Sequence, residues 1–250
     1  MKTKVMAHRG ASAYAPENSL EAFSLAIDMK AHGIELDIYE TYDGRLVIHH
    51  DNNIKRMTGN DKKISETSFD VLRSYNFNGE WGDKFGFVKI PEFKEVLDLF
   101  KNNDMTINIE MKEGSVNYIR AIDSLVREYG MEDRVIYSSF DHFKLKKIAE
   151  INPTAKTGAL YSFNMACPWD YAKAANFTAL HPSYDQIYKY KNEFGIDYVK
   201  EAHDAGIVVN TWTADKPVII YELAKRGVDN IITDCPDIAL EEIRKAGENI

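Results

Sequence analysis

Apolar residues recur along the chain in two alternating spacings. Short runs of β-branched and aliphatic residues, bounded by turn-forming residues, predict strands over 4–7, 33–38 continuing through 45–49, 106–110, 134–138, 157–161, 179–181, 208–211 and 230–232. Between them lie stretches with apolar residues three and four apart, such as "NSLEAFSLAIDMKA", "PEFKEVLDLFKNN", "SVNYIRAIDSLVREYG" and "PDIALEEIRKAG", which predict amphipathic helices. Eight strand signals, each followed by a helix signal, imply parallel βαβ units. Eight units in 250 residues match the size and count of a (β/α)8 TIM barrel in the α/β class. The alternative, an open doubly wound sheet, lacks its GxGxxG turn. No linker divides the chain, so one domain over 1–250 is expected. A Gly- and aromatic-rich insertion over about 51–89 follows the second strand.

Local chemistry marks several boundaries. Asn18 followed by Glu21 predicts a capping box on the first helix, and Gly33, Gly130, Gly206 and Gly227 stand where left-handed helix ends are expected.

The last residues of each predicted strand carry the candidate chemistry, because active sites of such barrels lie at the C-terminal strand ends. The first strand ends in His8-Arg9. In "GIELDIYE", Glu35 and Asp37 are two residues apart and share one face, alternating with Ile34, Leu36 and Ile38. The 45–49 run ends in His49-His50-Asp51. "INIEMK" repeats the device with Glu110 and Lys112.

Three carboxylates on neighbouring inward faces raise one another's pKa unless a cation compensates them, and an all-oxygen set suits Ca²⁺ or Mg²⁺. Arg9 and Lys112 beside such an ion suit a phosphate. His8 and His50 suit a general acid and a general base, since imidazole titrates near neutral pH. Singly, each residue has an ordinary reading as a salt bridge or a solvated strand end. Jointly, they point to a site.

The ordered set "HRG…PENS…ELDIYETYDGRLVIHHD…IEMK…TWT…GVDNIITDCP" resembles the glycerophosphodiester phosphodiesterase family over nearly the whole chain. The resemblance implies a TIM barrel that hydrolyses glycerophosphodiesters to sn-glycerol 3-phosphate and an alcohol. It implies a divalent cation on Glu35, Asp37 and Glu110, catalytic histidines at His8 and His50, and phosphate contacts from Arg9 and Lys112. His50 is preferred to His49 because it directly precedes Asp51. Ser19 stands where threonine is commoner in the family.

Trp212 in "NTWT" is a candidate wall against the glycerol carbons. His181 in "LHPSY" is a weaker candidate for substrate contact, and Asp234 reads as a turn or cap residue. Trp81, Phe85 and Phe87 either cover the site or pack the insertion. The nucleophile is water or the substrate's own 2-hydroxyl, through a cyclic phosphate. A lysophospholipase D acting on lysolipids and a barrel that binds phosphodiesters without turnover are the competing readings.

A net charge of −8 argues against nucleic acid as a partner. Cys167 and Cys235 make no disulfide framework or zinc motif. The absence of an apolar leader or a long apolar run predicts a cytoplasmic protein without membrane insertion. A small-molecule substrate is the expected partner, and a homo-oligomer stays open.

Overall fold

The computed structural model describes residues 3–248, so the expected 1–250 span runs two residues past the description at each end. Eight parallel strands close on themselves: β1 (Lys4–His8), β2 (Gly33–Glu40), β4 (Thr106–Met111), β5 (Val135–Ser139), β6 (Lys156–Tyr161), β7 (Ala179–Pro182), β8 (Val208–Thr211) and β9 (Asn230–Thr233), with β1 pairing both β9 and β2. The expected (β/α)8 barrel is therefore present. The remaining strand, β3 (Leu46–Ile48), runs antiparallel along the end of β2, Ile38 opposite Ile48. The 33–38 and 45–49 signals are thus two arms of a hairpin, and only the first is a barrel stave.

Helices α1 (Leu20–Asp28), α4 (Phe93–Phe100), α5 (Val116–Glu128), α6 (His142–Ile151), α7 (Pro168–Ala175), α8 (Tyr184–Phe194), α9 (Tyr198–Asp204), α10 (Pro217–Lys225) and α11 (Pro236–Glu248) separate the staves. Short helices α2 (Lys55–Thr58) and α3 (Phe69–Leu72) belong to the insertion. Helix α8 lay outside the sequence-based expectation: "YDQIYKYKNEF" buries only Gln186, Ile187 and Tyr190, too thin an apolar stripe to read as a helix.

Strand alternation sorts the side chains. Val5, Ala7, Ile34, Leu36, Ile107 and Ile109 face the helices in the main apolar core. The alternate residues point inward, polar groups among them. His181, wholly buried, lies 2.7 Å from the Asn210 amide, which accepts from Asn230. Gly158 makes room for this imidazole, since a Cβ there would stand 2.2 Å from its Nε2. His181 is a barrel-interior residue, not part of the cleft described below.

The insertion has its own apolar cluster, in which Tyr39 and Val47 pack with Ile54, Met57, Ile64, Phe69, Leu72, Phe77, Val88 and Ile90. Phe85 packs against this cluster and meets Trp81 edge to face, 5.4 Å apart, while Phe87 is exposed. None of these three lines the cleft at the barrel mouth.

Two expected caps differ. Ser19, not Asn18, caps α1, its hydroxyl accepting from Ala22 N–H. Gly33 is not a helix end but the first residue of β2, where a side chain would meet the Thr106 carbonyl at 2.6 Å; Gly130, Gly206 and Gly227 do take positive φ.

Candidate active site

The C-terminal ends of the staves enclose a cleft of about 90 Å³, lined by His8, Arg9, Glu35, His50, Glu110, Lys112 and Trp212 together with Asn108, Phe140, Leu160, Thr213 and Ile232. Of the catalytic, phosphate-binding, cation-binding and glycerol-wall residues expected from the sequence, Asp37 alone is missing from this wall. It lies just behind it, 1% exposed, accepting from Asn18 Nδ2 at 2.8 Å and pairing with Lys112 Nζ at 2.9 Å.

Backbone geometry sets the first corner. Arg9 adopts φ +55° and Asn18 φ +54°, a region that asparagine tolerates better than most residues. The turn aims the Arg9 N–H at Glu35 Oε2, 3.2 Å away, and its Nε lies 3.5 Å from Asp37 Oδ2. Gly10 closes the turn against α1, where a Cβ would stand 2.6 Å from the Ala22 backbone.

Glu35, Asp37 and Glu110, all buried, each offer an oxygen within 4.8 Å of the others. Burial, then the Asp37 and Glu110 charges, push Glu35 well above the usual carboxylate range. Burial and Asp37 raise Glu110 to about 7. Burial opposes Asp37 as well, but Lys112 and Arg9 hold it low. Two carboxyl groups that resist ionisation beside a third that is ionised form a hard-oxygen set short of positive charge. That chemistry fits a Ca²⁺- or Mg²⁺-like ion. Lys112 bridges Asp37 and Glu110, the latter at 2.5 Å, and stands where it can also meet an anion in the cleft.

Each histidine is held through Nδ1. His8 Nδ1 lies 2.6 Å from Asp234 Oδ1, which also accepts from the Ser12 hydroxyl at 2.9 Å. His50 Nδ1 lies 2.7 Å from Asp51 Oδ1. Both rings therefore keep Nε2 for the cleft, and His8 Nε2 stands 4.0 Å from Glu35 Oε2. Burial lowers His50 below the ordinary imidazole value, the direction that suits a proton acceptor at neutral pH.

His49 points the other way, buried 5.5 Å from the Phe77 ring and depressed to about 4 by burial. The two lie just past the end of β3, His49 packed on the insertion side and His50 lining the cleft. Trp212 donates its indole N–H to the His181 carbonyl at 2.8 Å and meets Phe140 edge to face at 5.5 Å.

Sequence reasoning missed several members. Asp51 continues through Arg56 Nε at 2.7 Å, and Arg56 grips Glu17 with both terminal nitrogens. Glu17 Oε1 reaches Arg9 at 2.8 Å. Burial would raise Glu17, but Arg56 and Arg9 hold it low. An unbroken path of hydrogen bonds and ion pairs thus joins His50 to Arg9. Asn108 places a buried carboxamide oxygen at the cleft with no protein partner among the described residues. The sequence clue for Asn108 was its spacing two before Glu110 on the inward face.

The glycerophosphoryl diester phosphodiesterase family model matches residues 8–238, nearly the whole barrel. The chain belongs to this enzyme family. A glycerophosphodiester phosphodiesterase of Caldanaerobacter subterraneus is 35% identical over 250 residues, covering 99% of this chain and 100% of that protein. The crystal structure of a glycerophosphodiester phosphodiesterase of Thermotoga maritima superposes with a TM-score of 0.77 at 30% identity, covering 96% and 98% of the two chains. That of an Oleispira antarctica phosphodiesterase, solved with the product sn-glycerol-3-phosphate, gives a TM-score of 0.87 at 25% identity, covering 97% of each chain. Among the described residues of this member of the glycerophosphoryl diester phosphodiesterase family, no helix is long and apolar enough to cross a membrane.

Proposed function

We propose that the chain hydrolyses glycerophosphodiesters to sn-glycerol 3-phosphate and an alcohol, by acid-base catalysis from two histidines beside a divalent cation. The observation that carries this reading is the convergence on one cleft of two carboxylate-oriented imidazoles, two cations and a buried carboxylate trio. Glu35, Asp37 and Glu110 would hold the ion, which when bound supplies Lewis-acid stabilisation of charge on the phosphoryl oxygens.

The chain's own residues account for the remaining steps. Arg9 and Lys112 orient the phosphate and offset the charge that builds on it. Asp234 and Asp51 fix the tautomers of His8 and His50, so each ring presents Nε2. One Nε2 accepts the proton of the attacking hydroxyl and the other returns a proton to the departing alkoxide. Trp212 supplies an apolar wall for the glycerol carbons, and the unpartnered Asn108 oxygen is an acceptor for a glycerol hydroxyl.

A coupled assay for sn-glycerol 3-phosphate tests this on the full chain. Chelated protein should be inactive on glycerophosphocholine, with activity restored by Mg²⁺, Ca²⁺ or Mn²⁺. His8→Ala and His50→Ala should each lose about 10²–10⁴-fold in kcat. Near-normal turnover by both variants would refute the assignment, and faster release from a long-chain lysolipid than from glycerophosphocholine would favour a lysophospholipase D. A reducing, cytoplasmic setting is part of the same reading and is tested by fractionating cells that express the chain.

A further inference from the structure

The cleft holds about three waters' worth of space, enough for a phosphoryl group and part of one substituent but not for a whole diester. A second cavity of about 260 Å³ adjoins it, sharing Glu110, Lys112 and Phe140 as a common wall. Its other lining residues include Tyr39, Glu113, Asp141 and Lys144. Glu113, Phe140 and Asp141 are exposed, so this cavity opens outward, as the variable half of a substrate requires.

The charges in this cavity sort by pairing. Lys112 is held by Asp37 and Glu110, and Lys144 by Asp141 at 2.8 Å; Asp141 also caps α6. Glu113 makes no hydrogen bond or ion pair among the described residues. Lys63 supports the Glu113 charge only through space, so one carboxylate with no direct partner stands in a space walled by two aromatic rings. Tyr39 follows Glu35 and Asp37 on the inward face of β2, and Phe140 is half exposed. A carboxylate with aromatic faces is the chemistry that receives an ammonium group.

Resting on the proposed phosphodiesterase reading, we infer that this side cavity is the leaving-alcohol subsite. Glu113, with Tyr39 and Phe140, selects diesters whose alcohol carries an ammonium group over neutral ones. Glu113 touches no reacting atom; it sets specificity.

The test compares kcat/KM of the metal-loaded full chain on glycerophosphocholine and glycerophosphoglycerol for wild type, Glu113→Gln and Glu113→Lys. Glu113→Gln should lose about 3–10-fold on the choline diester, through KM, and stay within about twofold on the glycerol diester. Glu113→Lys should widen that gap. Equal losses on both substrates, or no loss on either, would overturn the subsite. Wild-type protein that cleaved neither diester would instead overturn the proposed reaction. Calorimetric binding of the same two diesters to the same variants would then decide the subsite by the same ratio.

Discussion

Asp234 Oδ1 lies 2.6 Å from His8 Nδ1 although 226 positions separate the two residues, because β9 closes the barrel against β1. The dyad exists only in the closed barrel. Asp234→Asn should therefore lower kcat by about 10–100-fold with KM nearly unchanged, since the change disturbs tautomer and orientation but not the phosphate contacts. Steady-state kinetics on glycerophosphocholine, beside a melting curve near that of wild type, checks this. A large rise in KM at unchanged kcat would contradict it.

Arg56 is the outermost link in the path from His50 to Arg9, and it is about half exposed, so it contributes little to stability. Arg56→Met should cut kcat about tenfold, while Arg56→Lys recovers part of the loss by keeping one charge but not the fork. Cation affinity, read by calorimetry, should be the same in all three proteins. A variant that lost cation affinity instead would show that Arg56 acts on the carboxylate trio.

The trio itself predicts a stability signature. Glu110 is raised by burial and Asp37 to about 7, so the metal-free folded protein binds this proton more tightly than the unfolded chain. Stability from this group is complete below the unfolded value near 4.5 and is lost as pH rises through about 7. A divalent cation replaces the proton, so its effect on Tm should be larger at pH 8 than at pH 5.5. Differential scanning fluorimetry with chelator or Mg²⁺ at both values measures this, and a shift independent of pH would contradict it.

Glu35→Gln relieves one member of the same crowd while keeping an acceptor for the Arg9 N–H. The chelated variant should melt higher than chelated wild type, by a few degrees for about 1 kcal/mol, yet gain nothing from added cation and show no turnover. A variant still stabilised by Mg²⁺ would remove Glu35 from the ion's ligands.

Gly158→Ala places a methyl on the His181 imidazole, with no room to move in the filled barrel. It should cost about 1–3 kcal/mol, seen as a drop in Tm of several degrees, without a matching change in KM.

The sequence carried the local part of this architecture. Glu35 and Asp37, like Glu110 and Lys112, are two apart, and strand alternation puts each pair on one face without reference to anything distant. His50 is preferred to His49 on sequence because it directly precedes Asp51, and it is His50 that lines the cleft while His49 is buried against Phe77. Legibility stops where a role is created by chain closure. Asp234 reads as a turn residue until β9 meets β1, and Asn18 reads as a cap until its side chain is seen on Asp37. Glu17 and Arg56, 39 positions apart, meet only because the insertion folds back over the barrel mouth. Gly33 shows the same limit, because the Thr106 carbonyl that excludes a side chain lies on a strand far along the chain.

The β3 arm has a consequence for how the enzyme fails. His8 stands on a stave of the barrel, whereas His50 follows a hairpin arm that packs Leu46 and Ile48 in the main core and Val47 in the insertion's apolar cluster. The proposed acid-base pair thus leans on two packing units of unequal size. Loosening the smaller one, for example by truncating Leu72 or Phe77, would withdraw one imidazole while the barrel stayed intact. On the proposed reading, such damaged molecules would keep their circular dichroism and their affinity for added cation and yet be inert.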